Sequence, residues 1–304
     1  MNRPIQIMSI LMALGVLGTT QFTTAQPTPT PTPTTNPIPA RPDVPYVPTP
    51  EVVVNAMLEV ANVVPGDVVY DLGSGDGRLV IGAVQRYGAT RGVGVEINPG
   101  LVKQSTENAR NAGVGNRVQF LQQDLFQTDL QPASVVTLYL LPDINLRLRP
   151  KLLSLKPGTR IVSHAFSMGD WQPDQTVLVS SGSERIVYFW VVPANIAGTW
   201  QGTVTINRPQ PFAFEFSQKF QQVQGSVIVD KQKYPITKLK LVGDRLSFNQ
   251  TQAVRGQQVR LQFDGRIEGN TLKGTAQLDL GGFSQRYPVF AKRTQSLANP
   301  TLKP

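Results

Sequence analysis

The polarity pattern changes character twice along the chain. Between residues 68 and 165, short apolar runs alternate with segments whose apolar positions recur every three or four residues. The runs at 68–72, 92–97, 118–121, 135–141 and 160–165 predict strands covered on both faces. Residues 78–87 and 99–112 predict helices. Leu101, Val102, Ser105, Ala109 and Ala112 share one face of the second, and Pro99 sits in its first turn, where no N–H is needed. Alternating strands and helices imply a parallel sheet with helices on both sides, an α/β Rossmann-like doubly wound fold. Runs at 176–180 and 185–192, joined through Ser181-Gly182-Ser183, predict an antiparallel edge hairpin.

From about residue 196 the period drops to two. Val204 and Ile206 alternate with threonines, and Phe212, Phe214 and Phe216 follow the same rhythm. Val227 and Val229, Leu239 and Leu241, Val259, Leu261 and Phe263, then Leu272, Ala276 and Leu278 continue it. Gly243-Asp244 and Gly269-Asn270 mark tight turns. This predicts an antiparallel meander of about eight strands, closed as a small barrel or packed as a sandwich.

The first 45 residues follow neither pattern. Arg3 precedes an apolar run over 5–17, and a polar stretch then leads to Ala25. That is the pattern of a secretory signal, or of an uncleaved N-terminal anchor. The run is shorter than the ~20 residues of a membrane span. Alternating Pro and Thr follow, and proline's fixed φ and missing N–H make them an extended spacer. The expected organisation is a leader over 1–25, a Pro/Thr linker over 26–45, an α/β domain over 46–195, a β domain over 196–293 and a loose tail over 294–304. Location in the periplasm or cell envelope, or anchoring at a membrane, is the corresponding expectation.

The chain has 304 residues and no cysteine, which removes disulfides and thiolate metal sites. No metal cluster is read from the pattern. The net charge of +9 sits mostly in the C-terminal third, where residues 197–304 carry 15 Lys or Arg against 6 Asp or Glu. Such a surface attracts anionic envelope or membrane surfaces, or is simply solvated. Its basic residues lack aromatic interleaving, so nucleic acid is not specifically indicated.

The candidate chemistry lies just after the strands, where parallel sheets bind ligands. The first strand ends in Asp71 and breaks into Leu72-Gly73-Ser74-Gly75-Asp76-Gly77, with a helix opening at Arg78. Glycines at 73, 75 and 77 remove side chains where a cofactor approaches backbone. Glu96 closes the second strand, 19 residues beyond Gly77, and suits the ribose hydroxyls of an adenosine. Asp124 closes the third, placed for an adenine amino group, with Leu125 or Phe126 beside the ring. An NAD site would show Gly-x-Gly-x-x-Gly. An acid two residues before the first glycine suits a cationic ammonium instead, so the expected cofactor is S-adenosyl-L-methionine.

The segments Asp71-Leu-Gly-Ser-Gly-Asp-Gly-Arg78, Gly94-Val-Glu96 and Asp124-Leu-Phe126, with Val162-Ser163 and Trp171-Gln172-Pro173, resemble a known family. It is the class I, seven-stranded S-adenosylmethionine-dependent methyltransferases. The closer resemblance is to the small protein-lysine N-methyltransferases of mitochondrial ATP synthase subunit c and the adenine nucleotide translocase. Tyr46-Val47-Pro48-Thr49-Pro50 resembles the entry segment of that group, and this implies that Tyr46 and Thr49 close over the cofactor. The resemblance covers about half the chain and implies methyl transfer to a protein lysine amine. A non-catalytic binding module on a retired scaffold and a small-molecule methyltransferase remain alternatives. Tyr139-Leu140-Leu141-Pro142 stands where amino-directed nucleic-acid methyltransferases carry Asn/Asp-Pro-Pro-aromatic, which argues against base methylation.

Substrate-side candidates are Tyr139 at the end of the fourth strand, His164 as a base or a structural histidine, and Trp171 as a pocket wall. Asp143 is a further candidate, or else the cap of a helix over 144–153. Arg147, Arg149 and Lys151 form a basic run that meets an acidic surface or is merely a solvated helix face.

Overall fold

The computed structural model describes residues 46–180, 184–206, 208–254 and 257–297. The expected leader, the Pro/Thr linker, the turn Ser181-Gly182-Ser183 and tail residues 298–304 lie outside the described residues.

The doubly wound sheet forms as the alternation predicts. Five parallel strands, β1 (Val68–Leu72), β2 (Arg91–Glu96), β3 (Val118–Gln122), β4 (Val135–Leu138) and β5 (Arg160–His164), join the antiparallel pair β6 (Gln175–Ser180) and β7 (Glu184–Val191). Their order is β3-β2-β1-β4-β5-β7-β6. The order reverses between β1 and β4, and a crevice opens at such a switch point. Helices α1 (Glu51–Val60), α2 (Arg78–Gln85) and α3 (Pro99–Asn111) cover one face, with Val53, Met57, Val80 and Ala109 in a core shared with Val69, Val135 and Val162. Helix α4 (Pro142–Leu153) covers the other through Ile144, Leu148 and Leu152.

Three details depart from the pattern. Helix α1 is not among the elements predicted above, and its β-branched run Val52-Val53-Val54 disfavours a helix locally. Packing of Val53, Val54, Met57 and Leu58 against α2, β5, β6 and β7 outweighs that preference. Strand β4 ends at Leu138, three residues early, because Pro142 starts α4 and the chain must turn away. Leu141, not Asp143, is the N-cap of α4; Asp143 stands in its first turn without a capping bond.

At the opposite end of the sheet, Asp67 ties three strands together. It pairs with Arg160, accepts from Ser134 Oγ at 2.7 Å and from the Val64 N–H at 2.8 Å. Arg160 also donates to the carbonyls of Ala61 and Asn62 at the end of α1 (2.8 and 2.7 Å).

The second sheet comprises β8 (Gly198–Thr205), β9 (Pro209–Lys219), β10 (Gln222–Val229), β11 (Gln232–Pro235), β12 (Thr237–Val242), β13 (Arg245–Val254), β14 (Gln257–Glu268), β15 (Thr271–Leu280) and β16 (Phe283–Ser296). Strands neighbouring in sequence pair antiparallel, except β11 and β12, and β16 returns to β8. The sheet's two edges, β11 and β12, are separated in the chain only by Ile236, whose N–H donates to the Gly225 carbonyl at 2.9 Å. They are the halves of one strand, broken by a left-handed Lys238 (φ 51°) and a register shift. The meander is therefore a nearly closed barrel of eight strands, one of them kinked, and β16 runs to Ser296, beyond the expected end at 293.

The described residues all fall within one compact unit. Phe220, at the tip of the β9–β10 hairpin, enters the α/β core beside Trp171 and Trp190 (ring centroids of Trp171 to Phe220 5.9 Å, to Trp190 5.8 Å). Trp171 Nε1 donates to Gln221 Oε1 at 2.9 Å, and Gln221 Nε2 donates to the Gln172 carbonyl at 2.6 Å.

Candidate active site

A cleft of about 260 Å³ runs along the carboxyl ends of β1 to β4. The chain forms it by ending each strand and leaving a polar residue at the crest. Asp71, Glu96 and Asp124 all line it, together with Gly73, Ser74 and Leu125.

The glycine turn works less uniformly than its sequence suggests. Gly73, Gly75 and Gly77 all have positive φ (77°, 53° and 83°), and the N–H groups of Gly73 and Ser74 both donate to the Val95 carbonyl (2.8 and 3.0 Å). Only Gly73 faces the cleft. The Tyr46 ring covers Gly75, where a Cβ would stand 2.3 Å from Tyr46 Cε2. Gly77 lets helix α2 approach the sheet, since a Cβ there would stand 2.4 Å from Phe120 Cζ. The expectation that all three glycines expose backbone to a cofactor is thus corrected for 75 and 77. Gly77→Ala will cost about 2–4 kcal/mol, from left-handed strain plus overpacking. Phe120→Ala in the same chain will restore part of it, as a double-mutant cycle in urea will show.

Asp71 is buried and accepts from Thr137 Oγ1 at 2.7 Å. Burial pushes its carboxyl up to about 7, Thr137 opposes the rise, and the Glu96 and Asp76 charges add to it. Glu96 fastens the turn to β2: Oε2 accepts from the Gly75 N–H at 3.0 Å and Oε1 from the Asn98 N–H at 2.9 Å. Asp124 Oδ1 accepts from the Phe126 N–H at 2.8 Å, which fixes the Leu125-Phe126 turn at the cleft wall. The Arg147 guanidinium lies 4.0 Å over the Phe126 ring, and both line the cleft.

The entry segment closes one side. Arg78 Nη1 donates to the Thr49 carbonyl at 2.8 Å while its guanidinium grips Asp76 at 2.6 Å. That pair holds the Asp76 carboxyl below its ordinary range despite partial burial, and Tyr46 bonds to the same carboxyl. Nothing in the sequence patterns marked Asp76 and Arg78 as the tether for residues 46–49. An acid and an arginine two apart at a helix start is the signal that was available.

Tyr139 also lines the cleft, its ring 4.0 Å from that of His164. His164 lies beneath, fully buried, with Nδ1 3.4 Å from Thr49 Oγ1. Burial, with the Arg185 charge, lowers its pKa to about 4, so it is neutral. It does not reach the cleft and supports Tyr139. Trp171 is no pocket wall. It is fully buried between Trp190 and Phe220, where its large apolar area belongs to the seam between the sheets. The basic run of α4 is also structural. Arg149 donates to the Met168 carbonyl (2.9 Å) and Asp170 (2.6 Å), and Lys151 to the Phe126 carbonyl (2.7 Å).

The profile of a family described as ANTKMT methyltransferase domain matches residues 71–175. A protein-lysine N-methyltransferase of Saccharolobus islandicus is 44% identical over 153 residues, which cover 50% of this chain and 95% of that protein. The chain belongs to the protein-lysine N-methyltransferase family. The mouse adenine nucleotide translocase lysine N-methyltransferase is 36% identical over 150 residues, covering 49% of this chain and 64% of that one. Among solved structures, a Salinibacter ruber chain described as an RNA methyltransferase with S-adenosyl-L-homocysteine is 55% identical, covers 49% of this chain and 96% of its own, and has a TM-score of 0.47.

The family's cofactor is S-adenosyl-L-methionine, and the side chains of the cleft fit it. Burial disfavours the charged form of the Asp71 carboxyl, a cost that a cationic ammonium beside it would offset. Ser74 Oγ is buried and lacks a partner among the described residues. Asp71 would hold the ammonium, Glu96 the ribose, and Asp124 with Leu125 the adenine, while Tyr46 and Thr49 close the entry side.

Proposed function

We propose that this protein transfers methyl groups to a lysine amine of a protein substrate. The carrying observation is the cleft in which Asp71, Glu96 and Asp124 stand in succession and which Tyr139 also lines. Bound S-adenosylmethionine supplies an electrophilic sulfonium methyl. Tyr139, held by His164 and Phe166 (ring centroids 4.0 and 6.4 Å), shapes the approach of the amine and excludes water. The lysine ammonium must lose a proton before it attacks. His164 is neutral but out of reach, so that proton passes to water.

Tyr139-Leu140-Leu141-Pro142 after β4 offers no amide and proline platform for a flipped base, which supports a protein acceptor over nucleic acid. The apolar run and Pro/Thr segment support an exported or N-terminally anchored protein, whose basic barrel meets an anionic envelope surface; N-terminal sequencing of the mature chain tests the cleavage. Incubation with radiolabelled S-adenosylmethionine and a membrane and envelope extract will label protein, on lysine after hydrolysis. Label confined to nucleic acid or to an organic phase overturns the lysine assignment. Tyr139→Ala will lower transfer by about 10²-fold while changing cofactor affinity less than about threefold.

A further inference from the structure

The barrel is packed at one end and hollow at the other. Near the seam with the α/β sheet its interior is filled by Trp200, Phe214, Phe216, Phe248 and Phe263, all buried. Arg293 stacks its guanidinium over the Trp200 ring at 4.5 Å. Toward the other end Val204, Val227, Val229, Ala276 and Leu278, with Phe212 at its inner side, line a cavity of about 630 Å³. That lies within the ~300–1,000 Å³ of pockets that enclose small molecules, and an eight-stranded barrel can hold one small ligand.

The wall is nearly all apolar. Arg208, at the β8–β9 turn, is its one charged residue and has no ion-pair partner among the described residues. Gln210 and Tyr287 are the other polar groups of the lining. Strand directions put this mouth at the turns that follow β8, β10 and β15, away from the Trp171 seam. Ile206, Leu280 and Phe283 are exposed around it, Phe283 at 83%. Exposed apolar side chains at the mouth of an apolar cavity fit a ligand that enters tail first. The methyl-transfer cleft uses none of these residues.

We infer that the barrel is a binding site for a single-chain amphiphile with an anionic head, such as a fatty acid, its hydrocarbon tail between Val204, Val227 and Leu278 and its carboxylate at Arg208. The tail replaces water along the apolar wall, and the head stays at the mouth, where Arg208 donates charge-assisted hydrogen bonds.

Calorimetric titration of the full chain with dodecanoate tests it. One equivalent will bind with a micromolar dissociation constant, octanoate will bind more weakly by about fourfold per methylene removed, and dodecan-1-ol will bind at least tenfold more weakly than dodecanoate. Arg208→Gln will weaken dodecanoate about tenfold and leave dodecan-1-ol unchanged. Ala276→Trp will fill the cavity and abolish both; if that variant does not fold, Val229→Phe at the rim serves in its place. No saturable binding, or binding of many equivalents per chain, overturns the site. Equal affinity for the acid and the alcohol overturns the anionic head. S-adenosylmethionine binding will be the same in Arg208→Gln and wild type, so this result and that for the methyl-transfer reading stand apart.

Discussion

Asp71→Asn will weaken S-adenosylmethionine binding by about ten- to a hundredfold at pH 8 and remove its pH dependence. The substitution keeps the shape of the side chain and the bond from Thr137 Oγ1, and deletes only the charge. A charge-assisted bond to a buried partner contributes roughly 1.5–3 kcal/mol, which sets the size of the loss. In the wild type the carboxyl titrates near 7, because it is buried and faces Glu96 and Asp76. Binding a cation to it below that pH releases a proton, so affinity will rise about tenfold per pH unit from 5.5 to 7 and then level off. Calorimetry across that range checks both proteins, which should converge at pH 5.5. A wild-type affinity independent of pH would remove Asp71 from the ammonium site.

The same substitution acts oppositely on the chain without cofactor. An unfolded Asp ionises near 3.9, whereas Asp71 in the fold ionises only near 7. Between those values the unfolded chain gives up its proton first, so this residue's contribution to stability falls as pH rises and reaches its full deficit above 7. Asp71→Asn will therefore be more stable than wild type at pH 8, by about 2–4 kcal/mol, and nearly equal to it below pH 4. Urea titrations of both chains at each pH isolate the difference. The carboxylate is held in an unfavourable site whose strain is relieved by the ligand it binds.

Trp171→Ala will destabilise the protein by about 3–5 kcal/mol, the cost of a cavity where a fully buried aromatic stood. The loss includes stacking on Phe220 and the bond to Gln221, so it loosens the barrel from the α/β sheet as well as hollowing the core. Cofactor affinity of the folded fraction will change little, because Trp171 does not line the cleft. Urea denaturation followed by Trp fluorescence, beside calorimetric cofactor titration, separates the two. Normal stability with lost methyl transfer would return Trp171 to the acceptor pocket.

The parallel strands and the acids at their ends could be read directly. Strands β1, β2 and β4 are short apolar runs largely buried on both faces, whereas the edge strand β3 is only partly buried, and Asp71, Glu96 and Asp124 follow from strand ends alone. The barrel's alternation was equally plain, down to the turns at Gly243 and Gly269, both with positive φ. Helix α1 was hidden because its valines favour extended backbone, and only contact with α2 and β5 to β7 makes it helical.

What side chains do once strands are assembled was decided by the tertiary structure. Trp171, Gly77 and Arg149 carry types common to active sites, yet one fills a seam, one lets a helix approach Phe120, and one ties a loop. Local pattern fixes which residues must leave water and which backbone shapes are allowed, because those follow from each residue and its near neighbours. Whether a buried group faces a cleft or another domain depends on surfaces distant in the chain, here the β9–β10 hairpin meeting Trp171, and no period along the sequence encodes that meeting.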